Sequence, residues 1–197
     1  MLQAILAGFM IGIGGIVNLT IGNIAGAVFF SVGLLSILHF KFFLFTGKAG
    51  LLVTKQIAII NLIKIWFGNL IGTATAAIMY ILTPTGNNHI EIAKNIVNIR
   101  INNGFLANII LGIFCGILMY IAVTGYNQTQ NVAFVIIPVA AFILAGFNHC
   151  VADMFYLMVN LSSIEGWITL IFTTIGNIVG CNLIPFICKY NLYKSAE

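Results

Sequence analysis

The feature that most constrains this chain is where its charges are missing. No Asp, Glu, Lys or Arg occurs from Met1 to Leu38, between Ile101 and Ala152, or between Gly166 and Ile187. Each gap exceeds the roughly 20 apolar residues that a helix needs to cross a bilayer. A transmembrane β-barrel would show segments of about ten residues alternating in polarity. The apolar runs here are continuous, so they read as helices. Only 6% of the 197 residues are charged, against roughly 25% in a soluble domain, so most of the surface must face lipid.

Six spans can be drawn: Leu2–Ile21, Asn23–Phe45, Gln56–Leu82, Gly104–Val123, Val132–Asn160 and Trp167–Tyr190. The chain opens directly into its first apolar run without a basic region, so that run reads as a span rather than a cleaved leader. The long polar stretch Pro84–Asn103 separates two halves, about 1–83 and 104–190, within one membrane domain covering 1–197. Lys48, Lys55, Lys189 and Lys194 fall on the side of the amino terminus, and Lys94 and Arg100 on the other. The excess predicts that both termini are cytoplasmic, in a multi-pass protein of the cell membrane.

The two halves carry related motifs. Phe67-Gly68-Asn69-Leu70-Ile71-Gly72 lies in the third span and Ile175-Gly176-Asn177-Ile178-Val179-Gly180 in the sixth; Gly22-Asn23-Ile24-Ala25-Gly26 joins the first two spans. Glycines four apart let helix backbones approach closely, and that alone explains them. The asparagines ask for more, because an amide in hydrocarbon needs a partner. With three spans per half, a duplicated half enters the membrane inverted. Inverted repeats place substrate paths near the midplane, often at interrupted helices.

The second and fifth spans hold matching places in the halves, and polar residues interrupt both. The second ends in His39-Phe40-Lys41-Phe42-Phe43-Leu44-Phe45-Thr46-Gly47-Lys48. The fifth contains Gly146-Phe147-Asn148-His149-Cys150-Val151-Ala152-Asp153-Met154-Phe155. An imidazole, an amide and a carboxylate at membrane depth point to an ion path, or else to interhelical hydrogen bonds. Asp153 shares a face with His149 if the helix is continuous there; it orients the imidazole or lies near the membrane surface. Lys41 and Lys64 read as side chains reaching an interface.

Other chemistries find little support. Cys115, Cys150, Cys181 and Cys188 lie in apolar segments with no CxxC spacing, so neither a disulfide framework nor a metal site is expected. The basic residues form no run that would suit nucleic acid. No phosphate-binding glycine loop, GxSxG or HExxH occurs, and no enzyme or cofactor is expected.

These blocks, together with Phe30-Ser31-Val32-Gly33-Leu34 and Leu44-Phe45-Thr46-Gly47, resemble the formate/nitrite transporter family in order and spacing along nearly the whole chain. The most specific is the block from Gly146-Phe147-Asn148-His149 to Met154-Phe155. The resemblance implies an all-α, aquaporin-like fold with six spans, the second and fifth broken. It implies a ring of five subunits, each with its own pore. It also implies site roles. Thr46 sits on the loop of the broken second span, and His149 is the central pore histidine. Phe30, Leu34 and Phe142 form apolar constrictions, Asn177 is a polar pore-lining partner, with Asn148 and Asp153 expected to line the pore beside it, and Arg100 is a vestibule cation. The chain departs from the family at Asn148, usually glutamate, at Asp153, commonly asparagine, at Gly116, often a pore asparagine, and at Lys41, in a segment usually uncharged.

The expected function is a channel or transporter for formate or nitrite, and the expectation includes proton coupling through His149, a residue type with an unperturbed pKa of about 6.5. A hydrosulfide channel of the same architecture and a non-conducting membrane scaffold are the alternatives. Arg100 at a mouth argues against cations as cargo.

Overall fold

The computed structural model describes residues 1–161 and 163–194, and the regular secondary structure among these residues is helical. The end of the expected domain, 195–197, lies outside the described residues, as does the side chain of Lys194. The elements in order are α1 (Leu2–Ile21), α2 (Asn23–His39), α3 (Phe45–Ala49), α4 (Ile59–Ile81), α5 (Pro84–Asn88), α6 (Ile90–Thr129), α7 (Ala133–Leu144), α8 (Cys150–Asn160) and α9 (Ile164–Lys194). Four are long and apolar enough to cross a bilayer: Leu2–Ile21, Ile59–Ile81, Ile90–Thr129 and Ile164–Lys189. α2, α7 and α8 are apolar but shorter.

Helix ends follow local chemistry. Gly22, at φ 64°, lets the chain turn from α1 straight into α2. The second expected span, Asn23–Phe45, stops being helical at His39 and resumes as α3 at Phe45. The fifth, Val132–Asn160, divides into α7 and α8. The stretch Pro84–Asn103, read from sequence as a polar connection, instead folds as α5 and the first part of α6. Thr83 caps α5 by accepting from the Gly86 amide. Beyond it, Ala93 and Val97 turn one face of α6 into the core, which polarity averaged over the stretch conceals. Gly104, at φ 74°, bends α6 where the sequence places the start of the fourth span.

The two most extensive helix pairings are α1 against α4 and α6 against α9. Gly72 of α4 abuts the Ile5 carbonyl of α1, and Gly180 of α9 abuts the Ile113 carbonyl of α6; a methyl group at either glycine would overlap that backbone. Both glycine and carbonyl recur at the same offset of 108 positions in the sequence. The G-N-x-x-G motifs therefore act here as close-approach surfaces. α2 packs on α7, and α8 sits against α4 and α6, so the short helices fill the space between the two pairs.

Candidate functional site: a histidine–threonine bridge between two cavities

α3 and α8 each begin inside the protein, and a helix start exposes backbone N–H groups that hydrocarbon cannot satisfy. An asparagine from a neighbouring helix solves this in both places. Asn69 Oδ1 accepts from the Phe45 amide at 2.8 Å, while its Nδ2 donates to the carbonyls of Ala4 (2.7 Å) and Phe43 (2.9 Å). Asn177 Oδ1 accepts from the Cys150 amide at 2.8 Å, while its Nδ2 donates to the carbonyls of Gly112 (2.9 Å) and Asn148 (2.8 Å). Each asparagine ties together a short helix, the extended residue before it and the partner of its own helix.

The resemblance assigns Asn177 to the pore lining. In the structure its amide is occupied entirely by backbone and it borders neither cavity. Asn148 is likewise fully buried, donating to Asn108 Oδ1 at 2.7 Å. Asn108 in turn donates to the carbonyls of Arg100 and Gly104, both at 2.7 Å, and so fixes the bend in α6. Sequence reasoning missed Asn69 and Asn108 as supports, although the repeated G-N-x-x-G motif had already put Asn69 on a par with Asn177.

His149 is the N-cap of α8, with an extended backbone (φ −107°, ψ 111°), so it does not share a helical face with Asp153. Its Nδ1 accepts from the Ala152 amide at 3.1 Å, and its Nε2 lies 2.9 Å from Thr46 Oγ1. The backbone amide settles the tautomer. An N–H can only donate, so Nδ1 must accept, and the neutral ring carries its hydrogen on Nε2. Thr46 Oγ1 then accepts from the ring, which leaves the threonine's own hydrogen free to be donated. Phe142 stacks on the imidazole, with centroids 5.5 Å apart and planes at 18°, and Phe30 meets Phe142 edge-on at 6.0 Å.

A cavity opens on each side of this bridge. The larger, about 570 Å³, is lined by Thr46 and Leu34 at its inner end and by His39, Lys41 and Lys48 further out. The smaller, about 260 Å³, is lined by His149, Phe30 and Phe142 and by Arg100 and Asp153. Thr46 faces one cavity and His149 the other, so the bridge and its apolar neighbours are the partition between them.

Arg100 does not stand free in the smaller cavity. Its Nε donates to Asp153 Oδ1 at 3.5 Å and its Nη1 donates to the Gly146 carbonyl at 3.3 Å. Both side chains are largely enclosed, at 14% and 7% exposure, and Asp153 Oδ2 is buried without a hydrogen-bond partner. Asp153 thus pairs with Arg100 and not with His149. The structure brings Thr46, His149, Phe30, Leu34 and Phe142 to the partition and Arg100 with Asp153 to one vestibule. Asn148 and Asn177 stay behind the site as supports.

Fold and site together define a multi-span helical membrane protein with two facing cavities that meet at a neutral donor pair. The model of the family described as formate/nitrite transporter matches residues 1–190, and the chain belongs to that family. Among curated proteins it is similar to the formate channel FocA of Escherichia coli (strain K12), 24% identical over 212 residues, spanning 87% of this chain and 74% of that protein. It is 27% identical over 149 residues to the formate channel FocA of Haemophilus influenzae, spanning 68% of this chain and 52% of that one. Among solved structures, one described as a pentameric formate channel with formate bound superposes with a TM-score of 0.81 at 25% identity, covering 98% of this chain and 95% of the other. An FNT family ion channel gives a TM-score of 0.86 at 20% identity over 96% and 88%, a likeness of fold.

Proposed function

We propose that this protein is a channel for formate or a similarly small monovalent anion of a weak acid, and that the anion crosses at the His149–Thr46 bridge. The observation that carries the reading is the pair of cavities meeting at that bridge. A bare charge at the centre of a bilayer costs several kcal/mol or more. Here the apolar neck formed by Phe30, Leu34 and Phe142 reduces the passage to one short step, and the free hydrogen of Thr46 is presented to an oxygen of the anion as it leaves water. His149, held neutral by the Ala152 amide, stabilises that donor through Nε2. If the anion takes a proton in transit, the bridge is the nearest relay. The species in the neck is then close to neutral.

The reading includes the architecture. The six spans are two inverted halves. α2 with α3 and α7 with α8 serve as the broken second and fifth spans. Support comes from the matching asparagine clamps and from the recurrence of the glycine contacts at one offset. Five copies assemble with one pore each, as the similarity to a pentameric formate channel suggests. The protein lies in the cell membrane with both termini cytoplasmic and the larger cavity opening to the same side. Support for one side comes from the Phe43 amide donating to the Gln3 carbonyl near the amino terminus and from Lys189 Nζ in α9 donating to the Val53 carbonyl just beyond α3.

The test is anion uptake into proteoliposomes for wild type and His149→Phe at several pH values, with formate, nitrite and hydrosulfide compared in one preparation. A ring of similar size on Phe142 keeps the neck packed but removes both hydrogen bonds. Uptake is expected to fall at least tenfold and to lose its dependence on pH. Equal, pH-independent uptake would remove the bridge from the mechanism. Preference for hydrosulfide would reassign the cargo, and absence of any uptake by wild type would leave a scaffold.

A further inference from the structure

The two cavities differ in charge as well as in size. In the smaller one, the Arg100 guanidinium is matched by Asp153 at 3.5 Å, so the vestibule has no net charge from this pair. The larger one is lined by Lys41 and Lys48 and by no Asp or Glu. Among the described residues, the ion pairs are Lys94 with Glu91 and Arg100 with Asp153, which leaves both of these lysines without a carboxylate.

The segment that carries Lys41 is fixed. The Phe42 amide returns to the Ile37 carbonyl at 2.9 Å, and the Lys41 amide to Leu38 at 3.4 Å, while Phe40 and Phe42 stack at 5.6 Å. This is the hydrogen-bond pattern of a helix end that glycine usually closes. Lys41 occupies the left-handed position at φ 57°, where a side chain carries a steric cost. Lysine at a glycine position is poor helix-ending chemistry, and the cavity it lines supplies a reason for the side chain. Lys48 is set in place by the Phe43 ring, its Nζ 5.0 Å from the centroid.

We propose that Lys41 and Lys48 make the larger mouth the anion-concentrating one and that this unequal charge makes the channel rectify, passing more anion current when anions enter through that mouth. The proposal rests on the channel reading above and assigns its anion attraction to these lysines rather than to Arg100. Uncompensated charge at one mouth raises the local anion concentration there alone, which biases entrance by direction. Two lysines at about 7 Å in water-like surroundings correspond to roughly a threefold to tenfold rise in local anion concentration. The effect must fade as salt shortens the screening length from about 30 Å at 0.01 M to about 3 Å at 1 M.

The experiment is single-channel recording in planar bilayers with equal formate on both sides. The orientation of each channel is read from Asn127→Cys in a Cys188→Ser background, a position at the same mouth that leaves both lysines in place; a negatively charged thiol reagent added after the current is recorded blocks it from one chamber only. At about 0.02 M formate the current ratio between the two voltage signs is expected to be about threefold, falling towards one near 1 M. Lys41→Gly with Lys48→Gln should bring the ratio to about one at low salt. The glycine also relieves the left-handed backbone, so this variant is expected to fold. Lys41→Arg should keep the ratio. Asp153→Asn should reduce it by freeing the charge of Arg100 at the opposite mouth.

A conducting channel whose current is equal in both directions, or whose ratio survives loss of both lysines, would overturn this proposal and leave the channel reading intact. No current under any condition would remove the channel reading and this proposal together.

Discussion

α3 and α8 are held in the same way and do different things. Both start beneath an asparagine that reaches across from a glycine-packed helix and binds their first amide. α3 is preceded by Leu44, which offers no side-chain cap, and α8 by His149, whose ring caps the helix and meets Thr46. The shared part is the solution to a solvation problem that any helix starting in hydrocarbon must solve. The part that differs carries the chemistry. A repeated scaffold can thus hold an unrepeated site, with one residue from each short segment joined in a single hydrogen bond.

This comparison can be broken most severely at the clamps. Asn177→Ala removes three hydrogen bonds at once and leaves the Cys150 amide and two carbonyls unsatisfied. About 3 kcal/mol or more of destabilisation is expected, read as a fall in thermal unfolding temperature in detergent. Asn69→Ala should cost about the same. A cost for Asn69→Ala near zero would end the equivalence of the two clamps.

The glycine contacts come next. Gly180→Ala and Gly72→Ala each force a methyl group against a carbonyl on the partner helix and should cost about 1–3 kcal/mol in the same assay. The bridge itself should show a smaller effect on stability and a large one on flux. Thr46→Val keeps the shape but leaves the ring's Nε2–H unpaired, with about 1–2 kcal/mol lost and formate uptake reduced about tenfold. Thr46→Ser, which keeps the hydroxyl, should alter stability by under about 1 kcal/mol and preserve uptake, and this is the smallest change expected.

Which of these features the sequence reveals depends on how local their cause is. Long apolar runs identify α1 to the residue and α4 and α9 to within four residues, because the lipid requirement acts on each helix alone. The helical start of α6 is missed because its burial depends on a single face of a polar stretch. His149 and Thr46 stand out because polar groups are rare in such runs. Lys41 looks like a residue at an interface, since nothing local shows the cavity beside it.

The partnerships are another matter. The sequence alone determined a lipid-embedded helical chain with glycine–asparagine motifs in both halves and one histidine at depth, since composition and spacing suffice for these. Only the tertiary structure decided that Asn69 and Asn177 clamp backbone, that Asp153 neutralises Arg100 and that His149 binds Thr46 across a separation of 103 positions. A hydrogen bond is specified by distance and direction between groups brought together by packing, and no pattern along the chain encodes that meeting.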